Sequence, residues 1–235
     1  MYTDYPKPNA DRARIAILFI YCTIPFHFLN TLLPAILLFG GAIPGRNVTV
    51  LGPVFIGISV LQIAFYIISA VFFIMWFRRA YNNLHIAGSK YLSYDEGWAA
   101  GAWFVPLLNL FLPYKIMMEI WNEMQLCFRV KETKSTIKDG TKVGVWWALF
   151  LVGNITSALP IRFGGNIFNG FVSLILTSLI KDTIFLVDAL LLVSIIRQVA
   201  VWEEEMREGF HTWQMLYQQQ QYVQQQQNQY MQGRS

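Results

Sequence analysis

The chain has 235 residues, of which 55% are hydrophobic and only 14% charged, and its mean hydropathy is +0.40. That is more apolar side chain than one soluble core would hide, and it gathers in blocks long enough to cross a hydrocarbon layer of about 30 Å, which takes roughly 20 helical residues. The net charge of +4 does not mark a nucleic-acid binder, because the Lys and Arg sit beside apolar blocks, where they act as topology signals.

The first block, RIAILFIYCTIPFHFLNTLLPAILLF, is too long for the apolar core of a signal peptide and lacks a small-residue cleavage site. It reads as a retained span over about 14–39, bent by Pro25 and Pro34. A loop rich in Gly and Pro leads to a second span, about 54–76, which continues past the membrane through FRRAYNNLHIAG, with Gly88 suited to a C-terminal cap. Next comes GWAAGAWFVPLLNLFLP, residues 97–113, apolar but carrying Pro106, Asn109 and Pro113. Beyond it, Met117, Ile120, Trp121, Met124 and Phe128 recur at helical spacing and predict an amphipathic helix over 114–128.

The stretch RVKETKSTIKDGTK reads as an exposed linker. A short third span, about 143–160, has Trp146 and Trp147 as interfacial anchors, and a fourth, about 177–199, lies in a block that also holds Lys181, Asp182 and Asp188. Residues 202–217 predict a second amphipathic cytoplasmic helix, with Trp202, Met206, Phe210, Trp213 and Tyr217 on one face. The glutamine-rich tail, 218–235, is expected to be disordered. Cys22 and Cys127 make neither a metal set nor a disulfide framework.

Charge decides the topology. Arg12, Arg14, Arg78, Arg79, Lys90 and the basic residues from Lys115 to Lys142 all favour the cytoplasm, whereas the loops at 40–53 and 160–170 hold one Arg each, Arg46 and Arg162. An even number of crossings before residue 114 follows, so 97–113 is expected to be re-entrant, with a kinked fifth span as the rival. The expected fold is an all-α integral membrane protein with four transmembrane helices, this proline-broken segment, amphipathic cytoplasmic helices and cytoplasmic ends.

The run FIMWFRRAYNNLHIAGSKYLSYDEGWAAGAWFVPLLNLFLPYKIMMEIW closely resembles the central signature of a bacterial membrane-protein family, domain of unknown function 4328. The positions that carry the resemblance are Trp76, Arg79-Ala80, Asn83-Leu84, Gly97-Trp98, Pro106, Asn109, Pro113-Tyr114, Glu119 and Trp121. The resemblance extends from about the first span to Arg197. It implies a multi-pass protein of the bacterial plasma or inner membrane, without an established activity.

Three features invite a functional reading. Asn109, between two prolines, could line a polar cavity, although an amide that satisfies the carbonyls freed by those prolines is the plainer account. Asp182 and Asp188 are ionisable at or near membrane depth. Snorkelling would account for Asp182, and neutralisation through Arg79 or Arg197 for Asp188. His27 could relay protons, but a lone histidine lacks the partners of a metal site.

No catalytic motif such as HExxH, GxSxG or a phosphate-cradling glycine loop is found, so no enzyme and no cofactor are expected. The first functional expectation is a scaffold that meets a protein partner through its amphipathic helices. The second is a small channel or transporter with a cavity around Asn109 and Asp188. The bilayer is the expected environment in either case, and self-association would help the second, since four short spans make a narrow pore.

Overall fold

Long runs of Leu, Ile, Val, Phe and Ala, interrupted by glycine-rich and charged stretches, set where helices begin and end. The computed structural model describes residues 5–39, 48–126, 138–158 and 167–232. Among these residues all regular structure is helical: α1 (Ala10–Phe39), α2 (Val48–Ile86), α3 (Trp98–Gly101), a 3₁₀ turn (Leu108–Leu110), α4 (Leu112–Leu126), α5 (Thr141–Ala158) and α6 (Ile167–Gln232). Cys127, Arg46, Arg162 and most of the 129–142 linker lie outside the described residues.

Three helices are long and apolar enough to cross a membrane, in the segments Ala10–Ile36, Gly52–Ile86 and Ile175–Gln224. Their outward faces carry exposed aliphatic side chains, including Leu18 at 57% and Ile56 at 63% exposure, which suit hydrocarbon rather than water. The third expected span corresponds to α5, whose 18 residues extend about 27 Å and include Lys142 and Asn154. It is not one of the three. α1 packs on α2 and α6, and α5 packs on α6.

Residues 97–113 form no continuous helix. A four-residue helix gives way to turns, a 3₁₀ turn and then α4, with Pro106 in the turns and Pro113 in the first helical turn, where its missing N–H costs nothing. The segment has two sides. Ala99 and Ala102 are buried and Trp103 packs edge-on against Phe73 and Phe77, while Phe104 and Leu107 stand 76% and 75% exposed. The Trp147 Nε1–H donates to the Leu110 carbonyl at 3.1 Å, so a neighbouring helix satisfies backbone that this segment leaves open.

The dense core lies at the charged end of the helices. There Trp76, Phe77, Tyr81 and Leu84 of α2 meet Ile116, Ile120 and Trp121 of α4, Trp146 of α5, and Ile196, Trp202 and Met206 of α6. Trp121 meets Trp202 edge-on at 4.8 Å. The apolar faces predicted for the two amphipathic helices are therefore largely covered within this chain, up to Phe210.

α6 continues through the glutamine tract to Gln232; Gln is a good helix former, and neither Gly nor Pro interrupts 211–232.

Candidate functional site

Each long apolar helix carries a narrow polar stripe. On α2, Ser59, Gln62, Tyr66 and Ser69 fall at helical spacing; on α1 the stripe is Thr23, His27, Asn30 and Thr31; on α6 it is Ser178, Lys181, Asp182 and Asp188. The stripes face one another across a cavity of about 980 Å³, which is also lined by α5 and by Trp103 and Asn109 of the broken segment.

In one part of this cavity the polar groups satisfy each other. Asn30 donates to Gln62, and the Ser59 hydroxyl donates to Asn30 Oδ1 at 3.2 Å, tying α1 to α2. Thr31 Oγ1 donates to Asp182 Oδ2 at 2.6 Å, and His27 Nδ1 lies 3.6 Å from Asp182 Oδ1, tying α1 to α6. The His27 ring stacks on Phe185 at 3.7 Å. Asp182 is 5% exposed, so it is packed against α1 and does not reach for water. Among the described residues no three His, Cys, Asp or Glu side chains gather as a metal set would require.

Elsewhere the polar groups are not satisfied. Asp188 Oδ1, Asn109 Oδ1, Trp103 Nε1 and Trp146 Nε1 are all buried, all belong to lining residues, and have no partner among the described residues. An unmet buried polar group costs roughly 1–3 kcal/mol, so four around one cavity call for a solvent or ligand partner. Asp188 makes no ion pair among the described residues, and Arg197 bonds the Tyr21 hydroxyl at 3.3 Å instead. Next to Asn109, the Leu110 carbonyl accepts from the Trp147 Nε1–H at 3.1 Å.

The remaining motif residues sit at the charged end and hold helices together. Asn83, fully buried, accepts from the Lys7 backbone N–H at 2.9 Å, donates to the Lys7 carbonyl at 2.8 Å and donates to Glu203 at 2.5 Å. Asn9 donates to the other Glu203 oxygen at 3.0 Å. Burial pushes the Glu203 carboxyl up to about 7 even though both amides favour its charged form.

Glu119 accepts from the Tyr81 hydroxyl at 2.6 Å and from the Ser93 N–H; burial first, and then this bond, raise the Tyr81 phenol. The Trp121 Nε1–H donates to the Asp139 carbonyl at 2.9 Å, and the Tyr114 ring stacks with Trp147 at 6.4 Å. Arg79 is half-buried, Trp98 is 40% exposed, and neither joins the cavity lining.

Among the motif positions, Asn83, Tyr114, Glu119 and Trp121 thus tie helices together, and Asn109 lines the cavity. A family model described as Domain of unknown function (DUF4328) matches residues 54–201, more than half of the chain and the stretch that contains every one of those positions. The chain belongs to this family. No curated protein and no solved structure matches it. What the DUF4328 motif leaves out is informative: Asn9, which grips Glu203, and the α1 stripe of Thr23, His27, Asn30 and Thr31 precede the matched region, yet they complete the structure around it. Periodic polar residues inside apolar blocks were the sequence signal for that cavity.

Proposed function

We propose that this DUF4328 chain is a non-enzymatic channel or transporter of the bacterial plasma membrane that takes a small polar solute into the cavity between its helices. The observation that carries this reading is the convergence of Asp188 and Asn109, 79 positions apart in sequence, as unpartnered oxygens on one cavity of about 980 Å³. That volume suits a small organic molecule, and broken helical segments at membrane depth are where transporters bind solute. α5 serves as a fourth crossing, and 97–113 enters and leaves on one side. The contacts of Trp121 with Trp202 and of Glu119 with Tyr81 support this, because they hold α4 beside the charged part of α6 and the end of α2.

The partner-binding reading draws its support from the last part of α6, where Met215, Leu216, Tyr222 and Val223 remain exposed. One experiment separates the two. The full chain is reconstituted into liposomes, and uptake of an amine, an amino acid, a sugar and K⁺ is measured with the wild type and with Asp188→Asn. At least one solute enters, and the substitution slows it by roughly tenfold or more, as expected for losing one charge-assisted contact. A scaffold gives no uptake of any solute in either form, and that result removes the transport reading.

A further inference from the structure

We infer that the solute is a small organic cation, an ammonium compound that also carries an oxygen acceptor. This rests on the transport reading above and adds the chemical class. Asp188 supplies a carboxylate oxygen with no partner among the described residues, and Asn109 Oδ1 supplies a second bare acceptor; both suit the N–H donors of an ammonium group. Part of the same cavity's wall is aromatic. Phe73 lies 5.5 Å from Trp103 and 6.3 Å from Trp146, and all three rings line the cavity, which favours a cation and its carbon skeleton over a strongly hydrated ion.

The two indole N–H groups set the other requirement. Trp146 is 1% exposed, its Nε1–H is unpartnered, and Trp103 Nε1–H is in the same position, so the ligand must bring acceptor atoms as well as donors. A hydroxyl or ether oxygen meets that need without adding charge.

The alternatives fit less well. A metal ion needs several oxygen, nitrogen or sulfur ligands, and no three acidic, His or Cys side chains gather among the described residues. An anion would face Asp188, and the cation on the same stripe, Lys181, stands seven residues away, about 10 Å along the helix. In the Asp182–His27–Thr31 cluster the carboxylate already accepts from Thr31 on one oxygen and lies 3.6 Å from His27 Nδ1 with the other, so Asp188 is the carboxylate open to a ligand.

Three probes on one phenylcarbinol skeleton test the inference: 2-amino-1-phenylethanol, the neutral 1-phenyl-1,2-ethanediol and the anionic mandelate. Binding to the full chain in lipid nanodiscs is measured by calorimetry at neutral pH, with empty nanodiscs subtracted. The amino alcohol binds at least about tenfold more tightly than the diol, and mandelate does not bind. Asp188→Asn erases the preference for the amine, while Asp182→Asn keeps it.

The comparison of probes on the wild type needs no variant, so a misfolded substitution cannot blur the result. Diol or mandelate binding as tightly as the amine overturns the cation assignment and leaves the transport reading standing. The same follows if no probe binds while another solute is taken up by the liposomes. If no probe binds and no solute is taken up, both fall.

Discussion

Glu203 and Asp188 are both withdrawn from water, but only Glu203 is met by donors, Asn83 at 2.5 Å and Asn9 at 3.0 Å. Those two amides favour the carboxylate, yet burial outweighs them and lifts Glu203 from 4.5 to about 7. The folded chain therefore holds this proton more tightly than the unfolded chain does. A raised carboxyl stabilises the fold below its unfolded value, and that contribution is lost as pH rises from about 4.5 to about 7. The interval corresponds to a contribution on the order of 3 kcal/mol. We expect the thermal midpoint of the purified chain to fall between pH 5 and pH 8, and Glu203→Gln, which keeps the shape without the charge, to flatten that fall. Identical pH dependence in wild type and variant, read by tryptophan fluorescence on heating, would remove Glu203 from this role.

Helix termination at α2 is set by one glycine. Gly88 has φ of 77°, its N–H bonds the His85 carbonyl at 3.1 Å, and the Ser89 N–H bonds the Leu84 carbonyl at 3.1 Å, a Schellman pair that closes the helix. A Cβ in that left-handed conformation costs roughly 1–2 kcal/mol, so Gly88→Ala lowers stability by that amount, whereas Ser89→Ala, which keeps the backbone bonds, lowers it less. Equal denaturation midpoints for Gly88→Ala and the wild type would contradict this account. The cap was legible in the sequence because a glycine after a helical pattern has a local cause. So were the all-helical structure and the presence of helices apolar enough to span, from the long apolar blocks. The polar stripes were not read, because Ser59, Gln62, Tyr66 and Ser69 are diluted among aliphatic residues when a block is judged by its overall hydropathy. The meeting of His27 with Asp182 joins positions 155 apart, and no local pattern encodes which faces meet.

Over the whole molecule, contacts among the helix ends constrain how the chain threads a bilayer. Lys7 is bonded to Asn83, Asn9 to Glu203, and the Tyr5 hydroxyl to the Arg207 carbonyl at 3.4 Å, so the chain start, the end of α2 and α6 beyond its apolar part share one side. With α1 and α2 crossing once each and α6 returning, one further crossing is needed between residues 83 and 203. On the proposed reading α5 supplies it, and a crossing by 97–113 as well would make the count odd and pull α4 away from Tyr81 and Trp202. The same reading has the exposed Phe104 and Leu107 entering the hydrocarbon from the cytoplasmic side, the side that the basic residues around them favour. Cys127 follows α4 by one residue and reports on that side. In spheroplasts expressing a Cys22→Ser form, we expect a membrane-impermeant maleimide to label Cys127 only after lysis. Labelling of intact spheroplasts would place α4 outside, make 97–113 a crossing and separate Asn109 from the cavity it shares with Asp188, so the transport reading would lose one of the two oxygens on which it stands.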